Sequence, residues 1–143
     1  MKYLIALSLL LLPYSASAMT QQEAVFRIAE LSNEYHLNFA TFLTMVEMES
    51  NFNEKAYNPK DTDNLPAKGI SQFKDKTWAK FVKDYDLSYT KDDVFDGEKA
   101  LSLMAIALND GMAFHWGTYR TVKDKFGSVK VIKDNKGNIL SFR

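Results

Sequence analysis

The sequence predicts a mainly helical α+β domain closed by a C-terminal β-hairpin. Three observations predict it. Apolar residues recur at helical spacing in three stretches between Val25 and Tyr85, and a fourth stretch, Ala100 to Leu108, is apolar nearly all round. Capping residues stand before these stretches, at Thr20, Asn38 and Asp96. From Val129 onward the apolar period changes to two, on either side of the turn-forming run Asp134-Asn135-Lys136-Gly137.

The chain opens with a segment read as a secretory signal peptide over residues 1–18. Met1-Lys2 is a positive start, Tyr3 to Leu12 is an apolar run, Pro13 breaks it, and Ala16-Ser17-Ala18 offers small residues for cleavage after Ala18. The run is too short to span a bilayer, and no Cys follows the cleavage site to take a lipid, so export without a membrane anchor is expected. The mature part, 19–143, suits one domain. Removing Lys2 leaves 17 basic against 18 acidic side chains, a net charge near −1. That balance gives no electrostatic case for nucleic acid or for an anionic membrane. With no Cys in the chain, thiol nucleophiles and zinc-thiolate sites are excluded, and stability must come from packing.

The first helix is announced by the capping box Thr20-Gln21-Gln22-Glu23, after which Val25, Ile28 and Ala29 supply one apolar stripe running towards Tyr35. His36 follows, where a helix C-terminus favours a positive group. Asn38 caps the second helix, read over 38–48, whose stripe is Phe39, Phe42, Leu43 and Val46. Glu49 falls between Phe42 and Met45 on the rim of that stripe, whereas Glu47 falls roughly 100° from its centre. One carboxylate is aimed at the protein body and the other at water. A carboxyl held against apolar side chains loses hydration on ionising, so it retains its proton nearer neutrality, as a general acid must.

Beyond Glu49 the chain leaves helix, with Asn58-Pro59 and Leu65-Pro66 enforcing extended or turn geometry. The acidic loop Asp61-Thr62-Asp63-Asn64 is no helix–loop calcium site, because the sixth and twelfth positions counted from Asp61 are Pro66 and Gln72 instead of Gly and Glu. No metal is expected anywhere. Lys74 or Asp75 opens a third helix, with Trp78, Phe81, Val82 and Tyr85 in register. Asp96 caps a fourth, whose apolar circumference marks it as the centre of the core. Gly111 ends or bends it, and Met112 to Tyr119 reads as one or two further helical turns. His115 and Trp116 suit either the core or the apolar face of a sugar, core packing being the commoner use of buried aromatics. The hairpin is expected over Val129 to Phe142.

Glu49-Ser50-x-Phe52, Ala56-Tyr57-Asn58-Pro59, and Gly69-Ile70-Ser71-Gln72 leading to Thr77-Trp78 together resemble the lytic transglycosylases (SLT-type) of the lysozyme-like superfamily. Asp96-Gly97-Glu98-Lys99-Ala100 is similar to the opening of a core helix in the same family. The resemblance covers roughly residues 25–108. It implies a small periplasmic enzyme that cleaves the β-1,4 bond between N-acetylmuramic acid and N-acetylglucosamine in peptidoglycan. Glu49 would act as acid and then base, releasing 1,6-anhydromuropeptides without a cofactor. Ser50 would be a polar neighbour of the carboxyl or of its helix end. Gln72 would offer its amide to a sugar or to Glu49, on a turn kept open by Gly69, and Ile70-Ser71 replaces the family's common Leu-Met. The relatives' late Tyr-Asn-x-Gly motif is absent. Its nearest text, Leu108-Asn109-Asp110-Gly111, belongs to the core helix, so Tyr119 or the hairpin is the expected replacement.

The sequence leaves three functions open: the transglycosylase, a hydrolytic lysozyme or chitinase on the same scaffold, and a non-catalytic exported glycan-binding module. A second carboxylate for the hydrolase is not legible, since a loop position gives Asp61 or Asp63 no fixed distance from Glu49. By analogy, the small size suggests local wall opening for an envelope-spanning partner such as a secretion, conjugation or pilus assembly.

Overall fold

The computed structural model describes residues 17–140. The expected signal peptide, apart from its last two residues, and the final residues of the expected hairpin lie outside them.

Helix α1 (Gln21–Glu34) starts on the expected capping box: the Thr20 hydroxyl accepts from the Glu23 amide at 3.2 Å, and the Glu23 carboxylate accepts from the Thr20 amide at 2.7 Å. It buries Ala24, Ile28 and Leu31. His36 stands just past its end in the left-handed region (φ 53°), and the Leu37 amide returns to the Ser32 carbonyl at 2.8 Å. Helix α2 (Phe39–Ser50) is capped by the Asn38 side chain and runs two residues further than the sequence suggests. Phe42, Met45 and Val46 are fully buried, each such side chain stabilising the fold by roughly 1.5–3 kcal/mol. Phe39, expected in the same stripe, is instead exposed at the edge of a shallow groove with Ala29, Leu37 and Val131.

Asn51 and Phe52 then both take left-handed backbone (φ 51° and 63°). That conformation is costly for a bulky residue, and burial of the Phe52 ring opposes the cost. The segment read as extended or turn forms a small antiparallel ladder, β1 (Tyr57–Asn58) against β2 (Ala67–Lys68), with the acidic loop between its strands. Helix α3 (Asp75–Asp84) begins as expected and buries Trp78 and Phe81. A short 3₁₀ turn (Asp92–Phe95) leads into α4 (Gly97–Asn109), whose N-terminus is capped by Asp96. As its apolar circumference predicts, α4 is the buried centre, with Ala100, Leu101, Leu103, Met104, Ala105, Ala107 and Leu108 all inaccessible. It packs against α1 and α3, while α2 packs against α1 and α5. Gly111 ends it at φ 80°, with the Met112 amide closing on the Ala107 carbonyl at 2.9 Å.

The stretch Met112 to Tyr119, read as one or two helical turns, holds a 3₁₀ turn (Ala113–His115) and the start of α5 (Thr118–Phe126), most of which lies beyond it. Its inward residues Tyr119, Val122 and Phe126 keep helical spacing, yet Val122 alone among them is fully buried. Lys, Arg, Asp and Thr fill the remaining positions and mask the period. At its far end the Asn38 side-chain amide donates to the Phe126 carbonyl and the Thr41 hydroxyl to the Gly127 carbonyl, both at 2.9 Å. The end of α5 is thereby tied to the start of α2, and the two helices lie antiparallel. The C-terminal hairpin forms about its expected turn, pairing β3 (Ile132–Lys133) with β4 (Ile139–Leu140). The first strand begins at Ile132, later than the alternation from Val129 suggests. Among the described residues no helix is long and apolar enough to cross a membrane.

Candidate active site

At the last turn of α2 the helix wheel settles the fate of two carboxylates. Glu47 is exposed, and Glu49 is half-buried. The Glu49 carboxyl opens into a small pocket walled by Asp61, Gln72, Lys74, Thr77, His115 and Trp116. Its Oε1 accepts a 2.5 Å hydrogen bond from the Thr118 hydroxyl, at the first residue of α5. Burial pushes the Glu49 carboxyl above the usual glutamate range. The Thr118 hydrogen bond opposes that shift, the nearby Asp61 charge adds to it, and Lys74 opposes it. An acid held above its ordinary range beside a pocket is a candidate proton donor.

Charge around the pocket is arranged by Lys74, which stands at the N-cap position of α3. Its ammonium reaches Asp63 at 2.6 Å and Asp61 at 3.3 Å. The hydrogen bond with Asp63 comes first in raising the Lys74 pKa, and it lowers that of Asp63. The acidic loop is thus pinned to the start of α3, which brings Asp61 to the mouth of the pocket. A loop position alone assigns Asp61 no fixed place; Lys74 supplies one.

The turn Gly69–Gln72 forms the pocket's other wall. Lys68 and Phe73 exchange backbone hydrogen bonds of 3.0 and 2.9 Å across it. Gly69 has φ 76°, and a Cβ there would meet the Val94 carbonyl oxygen at 2.0 Å. Gln72 is also left-handed (φ 48°), and its side-chain N–H donates to the Gly69 carbonyl at 2.9 Å. Its amide oxygen keeps the capacity to accept from a ligand.

The structure gives four other residues of the expected site the following places. Ile70 is fully buried, so its side chain belongs to the core and is withheld from the pocket. The Ser50 hydroxyl donates to the Ile70 carbonyl at 2.7 Å, tying the end of α2 to the turn without bonding the carboxyl. Gly69 makes its close approach to Val94 within the protein. The Tyr119 hydroxyl lies 3.2 Å from that of Ser128, and Tyr119 is absent from the pocket wall. Thr118, its neighbour, reaches Glu49 instead. Trp116 is buried against Phe73, with ring centroids 5.3 Å apart, and its indole N–H donates to the Ser71 carbonyl at 2.8 Å. It serves core and pocket wall at once. His115 packs edge-on to Phe81, and burial lowers its pKa.

In a larger hollow beside Trp78, Tyr89 and Phe95 the carboxylates are Asp75 and Asp92, both exposed and accompanied by Lys68, Lys83 and Lys91. Among the described residues no cluster of three or more His, Asp or Glu side chains is set to hold a metal.

The raised Glu49 pKa has a consequence for stability. Below the ordinary glutamate value, about 4.3, the carboxyl is neutral both folded and unfolded, and its contribution is fully present. As pH climbs through the higher folded value, the folded state must ionise a half-buried acid and that contribution is lost. Glu49→Gln, a neutral isostere, is therefore expected to gain on the wild type in thermal melts between about pH 4 and pH 7.5. A wild type that gains on the variant over this interval would mean that Glu49 is ionised and stabilised by partners in the fold.

A family model described as the transglycosylase SLT domain matches residues 26–118. The matched span includes Glu49, the Gly69–Gln72 turn and α4, and ends at Thr118. Comparison with curated proteins and with solved structures gives no match.

Proposed function

The chain belongs to the transglycosylase SLT family, a family of peptidoglycan lytic transglycosylases, and from that premise we propose that Glu49 is its acid–base residue. The observation that carries this reading is the half-buried Glu49 carboxyl opening on a pocket with polar walls. Protonated, it gives its proton to the glycosidic oxygen as the bond to the N-acetylmuramic acid C1 breaks. The sugar's own 2-acetamido group stabilises the developing cation. The Glu49 carboxylate then takes the proton of the 6-hydroxyl, whose oxygen bonds to C1. A 1,6-anhydro sugar leaves, and Glu49 is protonated again. Intramolecular attack needs neither a bound water nor a metal, and positioning lowers its barrier. Gln72 accepts from the substrate through its amide oxygen.

Asp61 favours a second reading, hydrolysis, because it brings another negative charge to the mouth of the same pocket. The products separate the two. Mass spectrometry of fragments released from purified sacculi is expected to find 1,6-anhydro termini, lighter by one water than the reducing termini of a hydrolase. Predominantly reducing termini would replace the first reading by the second, and no release by the intact protein would favour a glycan-binding module.

The cellular setting belongs to the same proposal. Residues 1–18 serve as a signal peptide cleaved after Ala18, and residues 19–143 act in the periplasm as one domain. Local opening of the wall for a secretion, conjugation or pilus assembly is the cellular role proposed with it.

A further inference from the structure

We propose that Thr118 is a positioning residue for Glu49: from the first turn of α5 its hydroxyl fixes one carboxyl oxygen and leaves the other to carry the transferred proton. The inference rests on Glu49 being the acid–base residue. A threonine hydroxyl has a single hydrogen to donate, and here it goes to Oε1 at 2.5 Å. Among the described residues Oε2 has no hydrogen-bond partner, so it is the oxygen free to face a glycosidic bond.

The donor is held still. Thr118 is β-branched and stiff at χ1. Its helix packs against α2 and, at the far end, is tied to it by the Asn38 and Thr41 hydrogen bonds to the Phe126 and Gly127 carbonyls. Donor and acceptor therefore sit on two antiparallel helices locked at the opposite end, a preorganised pair that needs no rearrangement during reaction. Tyr119, the residue that the sequence offers for this place, has its hydroxyl beside Ser128.

The chemistry explains why such a donor is useful. Burial alone would favour the acid and hinder the base, yet the reaction uses both forms in turn. A hydroxyl donated to the carboxylate stabilises the ionised form that must collect the 6-hydroxyl proton. The other titratable groups in the pocket wall are Asp61 from the acidic loop, Lys74 from the start of α3, and His115 from the turn before α5. Substitution at Thr118 alters none of them.

The test compares Thr118→Val, which keeps the shape and loses the donor, with Thr118→Ser, which keeps the donor, in turnover of purified sacculi. For the Val variant kcat is expected to fall about 10-fold, with KM within about twofold. The alkaline limb of its kcat–pH profile should move to higher pH, because the ionised form has lost its donor, and the Ser variant should restore both. A Val variant with wild-type kcat and profile, or a Ser variant as impaired as Val, would overturn the proposal. Should Val fail to fold in circular dichroism, Thr118→Ala carries the same comparison. Glu49→Gln, assayed alongside, separates the two levels. An inactive Glu49→Gln with an unaffected Thr118→Val overturns the positioning role alone, and an active Glu49→Gln overturns both.

Discussion

Glu49→Gln is expected to keep the fold and to lose at least about 100-fold in turnover on peptidoglycan, the scale of a missing general acid. The amide is isosteric and its oxygen still accepts from Thr118, so the packing of the helix end is preserved. What disappears is the transferable proton. Glu47→Gln, two residues earlier on the same helix, is expected to change turnover by less than about twofold, because Glu47 is exposed and absent from the pocket wall. The pair is the informative measurement. Equal losses at both positions, or a larger loss at Glu47, would refute the assignment, and two fully active variants would leave the pocket without its acid. The observable is the initial rate of fragment release, with circular dichroism establishing that each variant is folded.

The contrast between the two carboxylates is legible in the sequence alone, and the reason is local. Helical periodicity fixes the direction of each side chain relative to its neighbours within a turn, so Phe42, Met45 and Val46 suffice to place Glu49 on the rim and Glu47 in water. The same locality makes the capping box at Thr20, the Asp96 cap and the buried α4 readable. The rest of the pocket is not local. Asp61, Lys74, His115 and Thr118 come from a loop, a helix start and the turn leading into α5, and they meet only because long-range packing brings them there. Their residue types carry no period. Lys74 is informative here: in sequence it only marks the start of α3, whereas in space it pairs with Asp63 and holds Asp61 at the Glu49 pocket.

Ile70 and Ser50 act from inside the protein for a related reason. A motif reports that residues are needed at fixed spacing, and the need can be met inwardly. The Ser50 hydroxyl and the Ile70 carbonyl bond each other across the junction of helix and turn, so both act on the pocket by holding its walls. Helix α5 is hard to read because its single fully buried residue, Val122, leaves too thin a stripe among charged neighbours.

Gly69→Val is expected to be the most damaging substitution to the fold itself. Two costs add at this position. The left-handed φ of 76° is strained for any residue with a Cβ and most of all for a β-branched one, at roughly 1–3 kcal/mol. The Cβ would also stand 2.0 Å from the Val94 carbonyl oxygen, a backbone atom that cannot swing aside as a side-chain tip would. Forcing atoms into packed space costs a further 1–3 kcal/mol or so. A total near 3–4 kcal/mol corresponds to a melting temperature lower by about 10 °C or more for a domain of this size. Gly69→Ala should show a large part of this loss, because the first carbon already makes the clash. Activity should fall with stability, since the Gly69 carbonyl is what the Gln72 side chain holds and the turn is one wall of the pocket. Thermal melts of both variants beside the wild type provide the measurement. A Gly69→Val protein that melts within a degree or two of wild type would mean that the turn takes another conformation in solution, and with it the wall that faces Glu49.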